Sequence, residues 1–304
     1  MRRRTSLWTI ALPASLMICA MPAHAHGPEG LWSGMPWTFD AWVEGPLYVC
    51  GAVYWLGTSR LWRRAGFGRG IGLWQSACFW SGWTALALAL MSPLHWLGER
   101  LFAAHMLEHC ILIAVAPPLI VIARPTAAML WALPKPAAAA FVALAHRPPI
   151  AGAWGKLTSP LAATFVYGAV LWAWHMPVLY QLTLASIGWH RLEHVSFTLT
   201  ALLFWWSLAR GGELGVKLAC LFVTTLHTSL LGLLLTLSPR AWYPAQGALA
   251  ADWGLTRLQD QQLAGLVMWV PMGAVYVIAA LWVASRWIGG ASRAALHGAE
   301  ASPT

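Results

Sequence analysis

Long apolar segments recur along the chain, separated by short stretches that are rich in charge, glycine or proline. A helix needs about 20 mainly apolar residues to cross a bilayer, and seven segments reach or approach this length. The pattern predicts an all-α fold, a polytopic membrane bundle of about seven transmembrane helices within residues 41–287. The predicted spans are Ala41–Leu61, Ile71–Ser92, Leu101–Ala123, Pro160–His175, Arg191–Ala209, Gly215–Leu237 and Gln262–Trp287.

Proline interrupts this pattern in two places. The region from Arg124 to Ser159 contains five prolines and predicts short helices that lie near one membrane interface. Pro117-Pro118 falls inside the third predicted span. Because proline lacks a backbone N–H and its ring clashes with the preceding turn, this pair is expected to kink or break that helix.

The first residues have the pattern of a secretory signal peptide. Three arginines at positions 2–4 precede an apolar stretch, and an A-x-A motif ends at Ala25, as expected before a cleavage site. We therefore predict a signal peptide over residues 1–25 and an outer-face N-terminal segment over residues 26–40. His26 would then begin the mature chain, where its amino group and imidazole could together chelate Cu(II).

Composition supports a lipid environment and gives an orientation. The 304 residues are 59% hydrophobic and 10% charged, which is more apolar surface than a soluble domain of this size buries. Twelve Lys and Arg residues fall on one side of the seven predicted spans and four on the other. Since basic loops stay in the cytoplasm, this predicts an N-out, C-in protein of the bacterial inner membrane. Residues 288–304 would form a cytoplasmic tail. The net charge of +9 then reflects topology and not a nucleic-acid partner.

Two copies of an HxxEH pattern open the third and fifth predicted helices. They are His105-Met106-Leu107-Glu108-His109 and His190-Arg191-Leu192-Glu193-His194. Residues four apart share one helix face, so each copy offers two imidazoles with a carboxylate beside them. Both helices are predicted to run from outside to inside, which places both pairs at the periplasmic face and predicts a metal site there. The alternative is that these histidines only cap helix starts at the interface.

Three further polar residues are candidates for the same region. His175 ends the fourth predicted helix, where a helix terminus in the aromatic belt is the alternative role. His227 lies roughly 15 Å below the outer end of the sixth helix, and its alternative role is a core histidine bonded to the backbone. Asp260 precedes the last predicted helix and could instead be its N-cap.

Sulfur-containing residues bear on the choice of metal. Neutral imidazole suits copper, zinc and iron, whereas thiolates and thioethers favour Cu(I). Met106, Met176 and Cys110 lie close in sequence to the candidate histidines and are candidate transfer ligands. Met106 and Cys110, however, share a helix face that is rotated by about 100° from the histidines of the first motif.

Four sequence blocks occur in a characteristic order. They are His105-Met106-Leu107-Glu108-His109 with Ala116-Pro117-Pro118-Leu119; Trp174-His175-Met176-Pro177 with Leu179-Tyr180; Leu192-Glu193-His194 with Ser196-Phe197 and Phe204-Trp205-Trp206; and Asp260-Gln261-Gln262-Leu263-Ala264-Gly265 with Met268-Trp269-Val270-Pro271. Together, over nearly all of residues 41–287, they resemble the CtaG family of caa3-type cytochrome c oxidase assembly factors.

The resemblance implies a multi-helix membrane fold and a role in maturing a haem–copper oxidase of the respiratory chain, through delivery or insertion of copper at the outer face. The family's histidines map onto His105, His109, His175, His194 and His227, while His190 fits its block less regularly. The implied partners are a subunit of the oxidase, a periplasmic copper chaperone and the membrane lipids.

The sequence thus predicts a non-enzymatic assembly factor that binds copper, with Cu(I) favoured. The candidate ligands are His105, His109, His175, His190, His194 and His227; the candidate residues around them are Glu108, Glu193, Asp260, Met106, Met176 and Cys110. Two other functions stay open. A haem-binding membrane protein would use histidine pairs as axial ligands, and a membrane zinc protease would use one HxxEH as its zinc motif, with the glutamate as general base.

Overall fold

The computed structural model describes residues 37–210 and 213–300, and within these ranges every regular element is helical. The predicted signal peptide, His26 and the rest of the N-terminal segment up to residue 36 lie outside the described residues. The elements are α1 Ala41–Ala65, α2 Leu73–Met91, α3 Pro93–Gly98, α4 Phe102–Cys110, a π-helical turn Ile111–Val115, α5 Ala116–Ile122, α6 Pro125–Ala132, α7 Lys135–Ala145, α8 Pro148–Leu157, α9 Pro160–Trp174, α10 Pro177–Ala185, α11 Ile187–Arg210, α12 Leu214–Leu237, a 3-10 helix Gln246–Trp253 and α13 Arg257–Glu300.

Three continuous segments of the described residues are long and apolar enough to span a bilayer, namely Phe102–Ile122, Leu214–Leu237 and Arg257–Arg286. A fourth results if α8 and α9, which meet at a bend of 64°, count as one span. The helices α1, α2 and α11 contain 25, 19 and 24 residues, but charged side chains or tryptophans lower their hydropathy. Length and composition therefore support an all-helical membrane protein with three or four candidate spans. Seven spans and the N-out orientation stay predictions.

The proline pair of the third predicted span is accommodated by a change of helix type. The π-helical turn Ile111–Val115 ends where α5 begins, and Pro117 and Pro118 occupy the first turn of α5. A π turn shifts the hydrogen-bond pattern by one residue, and a first-turn proline needs no intrahelical N–H bond. The segment consequently continues across the pair as one 21-residue candidate span.

The proline-rich region forms the short helices that the sequence predicts. α6, α7 and α8 contain 8, 11 and 10 residues, and each has proline in its first turn. α7 and α8 have no buried residue in this structure, so they lie on the surface of the bundle. Their predicted location at a membrane interface stays a prediction.

The main apolar core lies where α4, α5, α9, α11 and α13 meet. Tyr167 and Phe204 stack with ring centroids 5.1 Å apart, and the hydroxyl of Tyr167 hydrogen-bonds to that of Tyr276 at 2.6 Å. α12 and α13 approach so closely that a Cβ at Gly265 would lie 2.5 Å from the carbonyl oxygen of Gly232. This packing fixes the positions of α9, α11 and α13 around α4, which carries the first HxxEH motif.

Candidate metal centre

α4 directs the first HxxEH motif into the bundle. His105, Glu108 and His109 are at most 3% exposed. The preceding helix α3 packs directly against them, because its last residue is glycine: a Cβ at Gly98 would lie 3.1 Å from Oε2 of Glu108 and 3.2 Å from Cα of His105. Three titratable side chains on one short helix are thereby removed from solvent.

The start of α4 is held by Asp260 of α13. Its carboxylate, which is fully buried, accepts hydrogen bonds from the backbone N–H groups of Phe102 at 2.8 Å and Ala103 at 3.0 Å. These are two of the N–H groups that a helix start leaves without an intrahelical partner. Asp260 therefore caps another helix rather than its own, and it fixes the position of the motif that follows.

α11 supplies the second motif from the opposite side. Glu193 is fully buried and His194 is 8% exposed, while His190 is partly buried. The Nε2 atoms of His190 and His194 are 3.1 Å apart. This separation suits either a hydrogen bond, in which one ring donates, or two lone pairs that converge on a shared cation.

Each glutamate faces the histidines of the other motif. The oxygens of Glu193 lie 3.9 Å from Nε2 of His105 and 3.8 Å from Nε2 of His109. In the reverse direction, Oε1 of Glu108 lies 3.7 Å from Nδ1 of His194. The two HxxEH motifs thus form one cluster, in which both carboxylates are central.

His95 of α3 completes the cluster, although it is not among the ligands predicted from the sequence. Its Nδ1 hydrogen-bonds to Oε1 of Glu108 at 2.8 Å, and its ring stacks on that of His190 with centroids 5.6 Å apart. Burial by itself would lower the pKa of His95, but the hydrogen bond and charge of Glu108 outweigh it, so that the pKa is raised. The available signal was its position between the second and third predicted spans, on the same face as both motifs.

His175 approaches from the C-terminal end of α9 and is 5% exposed. Its Nδ1 donates a hydrogen bond to the carbonyl oxygen of Leu171 at 2.7 Å, which leaves Nε2 with a lone pair. The ring centroid lies 6.4 Å from that of His109. The hydroxyl of Tyr243 donates to the His175 carbonyl and thereby holds the end of α9 in place.

Four ligand atoms converge most closely, one each from His105, His190, Glu193 and His194, and all lie within 4.8 Å of one another. Four atoms that bind one ion tetrahedrally at about 2.0–2.2 Å lie roughly 3.4 Å apart, so coordination would require inward shifts of up to about an ångström. Nε2 of His105 and both oxygens of Glu193 have no hydrogen-bond partner among the described residues. Because unpaired buried polar atoms are costly, this donor set fits a cation.

Comparison with protein families gives a match over most of the chain. Residues 52–289 match the model of the cytochrome c oxidase caa3 assembly factor family, Caa3_CtaG. The chain belongs to this family. No curated protein and no solved structure matches it. Membership in Caa3_CtaG confirms the predicted family and indicates a factor for cytochrome c oxidase assembly. It also agrees with a non-catalytic role.

Cys110 is not part of the converging group of this Caa3_CtaG chain, and Met106 and Met176 differ in their exposure. Sγ of Cys110 contacts the carbonyl oxygen of Val267 on α13 at 3.6 Å. Met106 is fully buried within the main apolar core, and Met176 is 55% exposed. The atoms that do converge are imidazole nitrogens and a carboxylate oxygen.

His227 is the predicted ligand that the fold does not bring to the cluster. It lies on α12 opposite α9, where a Cβ at Gly168 would be 3.3 Å from its Nε2. Its side chain lines a cavity of about 390 Å³, and Thr164 and Cys220 also line this cavity. The cluster thus unites five of the six predicted histidines with both glutamates, and His227 occupies a separate position between two helices.

Proposed function

We propose that this chain binds copper at the cluster between α4 and α11 and helps to insert it into a haem–copper oxidase. The observation that carries the proposal is the convergence of His105, His190, Glu193 and His194 in a member of an oxidase assembly family. Imidazole is a good ligand for copper, and a buried shell of this kind can hold an ion away from competing ligands.

The converging donors bear on the redox state of the copper. The prediction of Cu(I) rests on Met106, Met176 and Cys110, whereas the group that converges consists of three imidazoles and one carboxylate. A shell of imidazole and carboxylate is less selective for Cu(I) than one that contains thiolate or thioether. We therefore propose that the site accepts Cu(II) as well as Cu(I).

The arrangement favours this proposal over the two alternatives. An iron with two axial histidines also needs space for the porphyrin around it, whereas here two more ligand atoms, from His190 and Glu193, occupy the same region. A zinc protease takes two histidines of one HxxEH motif as ligands and the glutamate beside them as base. In this cluster Glu193 instead faces His105 and His109 of the other motif.

Topology and partners complete the proposal. Seven spans with the N-terminus outside would place the cluster near the periplasmic face of the bacterial inner membrane, and the asymmetry of basic residues supports this orientation. Copper would then arrive from a periplasmic copper chaperone and pass to a subunit of the oxidase, without catalysis by this chain.

The test is metal analysis of the purified full-length protein. Wild type is compared with a His105→Ala/His109→Ala/His194→Ala variant, and His146→Ala serves as the matched control because it lies on the exposed connection between α7 and α8. We expect copper in wild type and control, and its loss from the triple variant. Equal copper in all three would refute the site, and a Soret absorption band would favour the haem alternative.

A further inference from the structure

The cluster holds more ligand atoms than one ion can use. Six histidines and two glutamates meet there, yet the closest group takes only His105, His190, Glu193 and His194. His109 and His175 are left over, and both are at least 95% buried because their exposed fractions are 1% and 5%. Their chemistry is not explained by a single ion at the first group.

The carboxylate of Glu193 connects the first group with these remaining histidines. One oxygen lies 3.9 Å from Nε2 of His105 and the other lies 3.8 Å from Nε2 of His109. Neither oxygen has a hydrogen-bond partner among the residues that the structure describes. Such a carboxyl group stays ionised only with cations or donors on both of its oxygens.

The nitrogens of His109 and His175, whose ring centroids lie 6.4 Å apart, are available to a second ion. Within the described part of the chain, both ring nitrogens of His109 and Nε2 of His175 lack a hydrogen-bond partner. The Nδ1 of His175 donates to the backbone carbonyl of Leu171. Metal-binding histidines commonly use the second nitrogen in this way, because the bond fixes the tautomer and the ring orientation.

Glu108, unlike Glu193, does not lie between the two groups of histidines but beside His95 and His194. Its Oε1 is engaged by Nδ1 of His95 at 2.8 Å and lies 3.7 Å from Nδ1 of His194. A carboxylate beside the far nitrogen of a metal-binding imidazole orients that ring and makes it a stronger ligand. Glu108 therefore supports a ligand of the first ion, and Glu193 is the carboxylate between the two groups.

We propose that the cluster is a two-ion centre for divalent copper or a similar borderline cation, bridged by Glu193. The first ion is held by His105, His190 and His194, and the second by His109 and His175. This inference rests on the proposed metal-binding function. The second ion has three protein ligands, counting the bridging oxygen, and thus an open coordination position.

The proposal is tested by counting ions and spins in the full-length protein in detergent. Metal-free wild type is titrated with Cu(II), freed of excess copper by gel filtration, and measured by elemental analysis and electron paramagnetic resonance. We expect two Cu(II) per chain. Since ions that share a bridge lie roughly 3.5–4 Å apart, their spins interact, and the spectrum should show dipolar broadening and a half-field transition in place of two independent mononuclear signals.

Variants separate the two positions. His175→Ala should bind one Cu(II) with a full mononuclear spin signal, and Glu193→Gln should lose the coupling. His227→Ala, which removes an imidazole outside the cluster, should keep two coupled ions. Gel filtration and circular dichroism check folding, and the wild-type spectrum decides the matter if a variant does not fold.

The outcomes are distinguishable. One Cu(II) per chain in wild type with a full spin signal, unchanged in His175→Ala, overturns the two-ion centre and leaves the copper site of the proposed function intact. Two ions without spin coupling overturn the bridge by Glu193. No bound copper in wild type overturns the proposed function itself.

Discussion

Replacement of Asp260 by alanine should destabilise the protein and weaken metal binding together, because this residue positions α4. The substitution removes both acceptors of the Phe102 and Ala103 N–H groups. It adds no bulk, so any effect comes from the lost hydrogen bonds and the space that the carboxylate leaves.

The magnitude follows from the two bonds. Loss of a helix N-cap costs about 0.5–2 kcal/mol, and each buried N–H that is left unpaired costs about 1–3 kcal/mol. Asp260 is fully buried, and Phe102 and Ala103 are 2% and 8% exposed, so water compensates only in part. We expect a loss of roughly 2–5 kcal/mol in the free energy of unfolding. Asp260→Asn, which keeps one acceptor oxygen, should lose about half of this.

The assay is unfolding in mixed detergent micelles, followed by circular dichroism, with Cu(II) affinity measured on the same samples. Asp252→Ala is the matched control, because Asp252 lies on the exposed surface of the 3-10 helix. If Asp260→Ala unfolds and binds copper like Asp252→Ala, the carboxylate of Asp260 does not hold α4 in the position that the proposed metal site needs.

Three further predictions concern close contacts around the site and the bundle. Gly98→Ala should lower copper affinity, since its Cβ would lie 3.1 Å from a Glu108 oxygen. Gly152→Ala, which has open space around it, should leave the affinity unchanged, and isothermal titration compares the two variants. Glu108→Gln should weaken copper binding by roughly 10–100-fold, and Glu99→Gln, whose side chain is 53% exposed, should leave it unchanged. Gly265→Ala should destabilise the bundle by about 1–3 kcal/mol in micelle unfolding, because the added methyl group overlaps the backbone of α12.

Each of these has a result that would contradict it. Equal affinities for the two glycine variants would mean that α3 yields to the added methyl group without moving the site. Unchanged binding in Glu108→Gln would show that this carboxylate does not orient a ligand. A Gly265→Ala protein as stable as wild type would mean that α12 and α13 can move apart without a loss in the free energy of unfolding.

The sequence was most informative where chemistry and helix periodicity coincide. The spacing of His105, Glu108 and His109 on one face was enough to predict that they act together, and the second motif was predicted in the same way. The all-helical character follows from long apolar segments, as do the helices that are long and apolar enough to cross a bilayer. Periodicity within one helix, however, does not show which residues of another helix lie opposite.

Contacts between residues on different helices account for the features of the site that the sequence did not predict. Each HxxEH motif predicts that its glutamate serves its own histidines, whereas Glu193 faces His105 and His109 of the other motif. His95 and Asp260 act through contacts more than ten residues away in the chain. His227 has the residue type and the predicted membrane depth of a candidate ligand, but its side chain faces α9. The packing of α12 against its neighbours determines which way this side chain points.

The division of the first donor group between two helices has a consequence for release of the ion. α4 contributes only His105, and α11 contributes the other three ligands. A relative shift of the two helices by about 1–2 Å, which is common at helix interfaces, would take the ion from four ligands to three without unfolding either helix. The rate of copper transfer would then depend on an equilibrium between two helix positions. A cysteine cross-link that joins α4 to α11 should slow transfer to an acceptor while leaving the bound copper content unchanged.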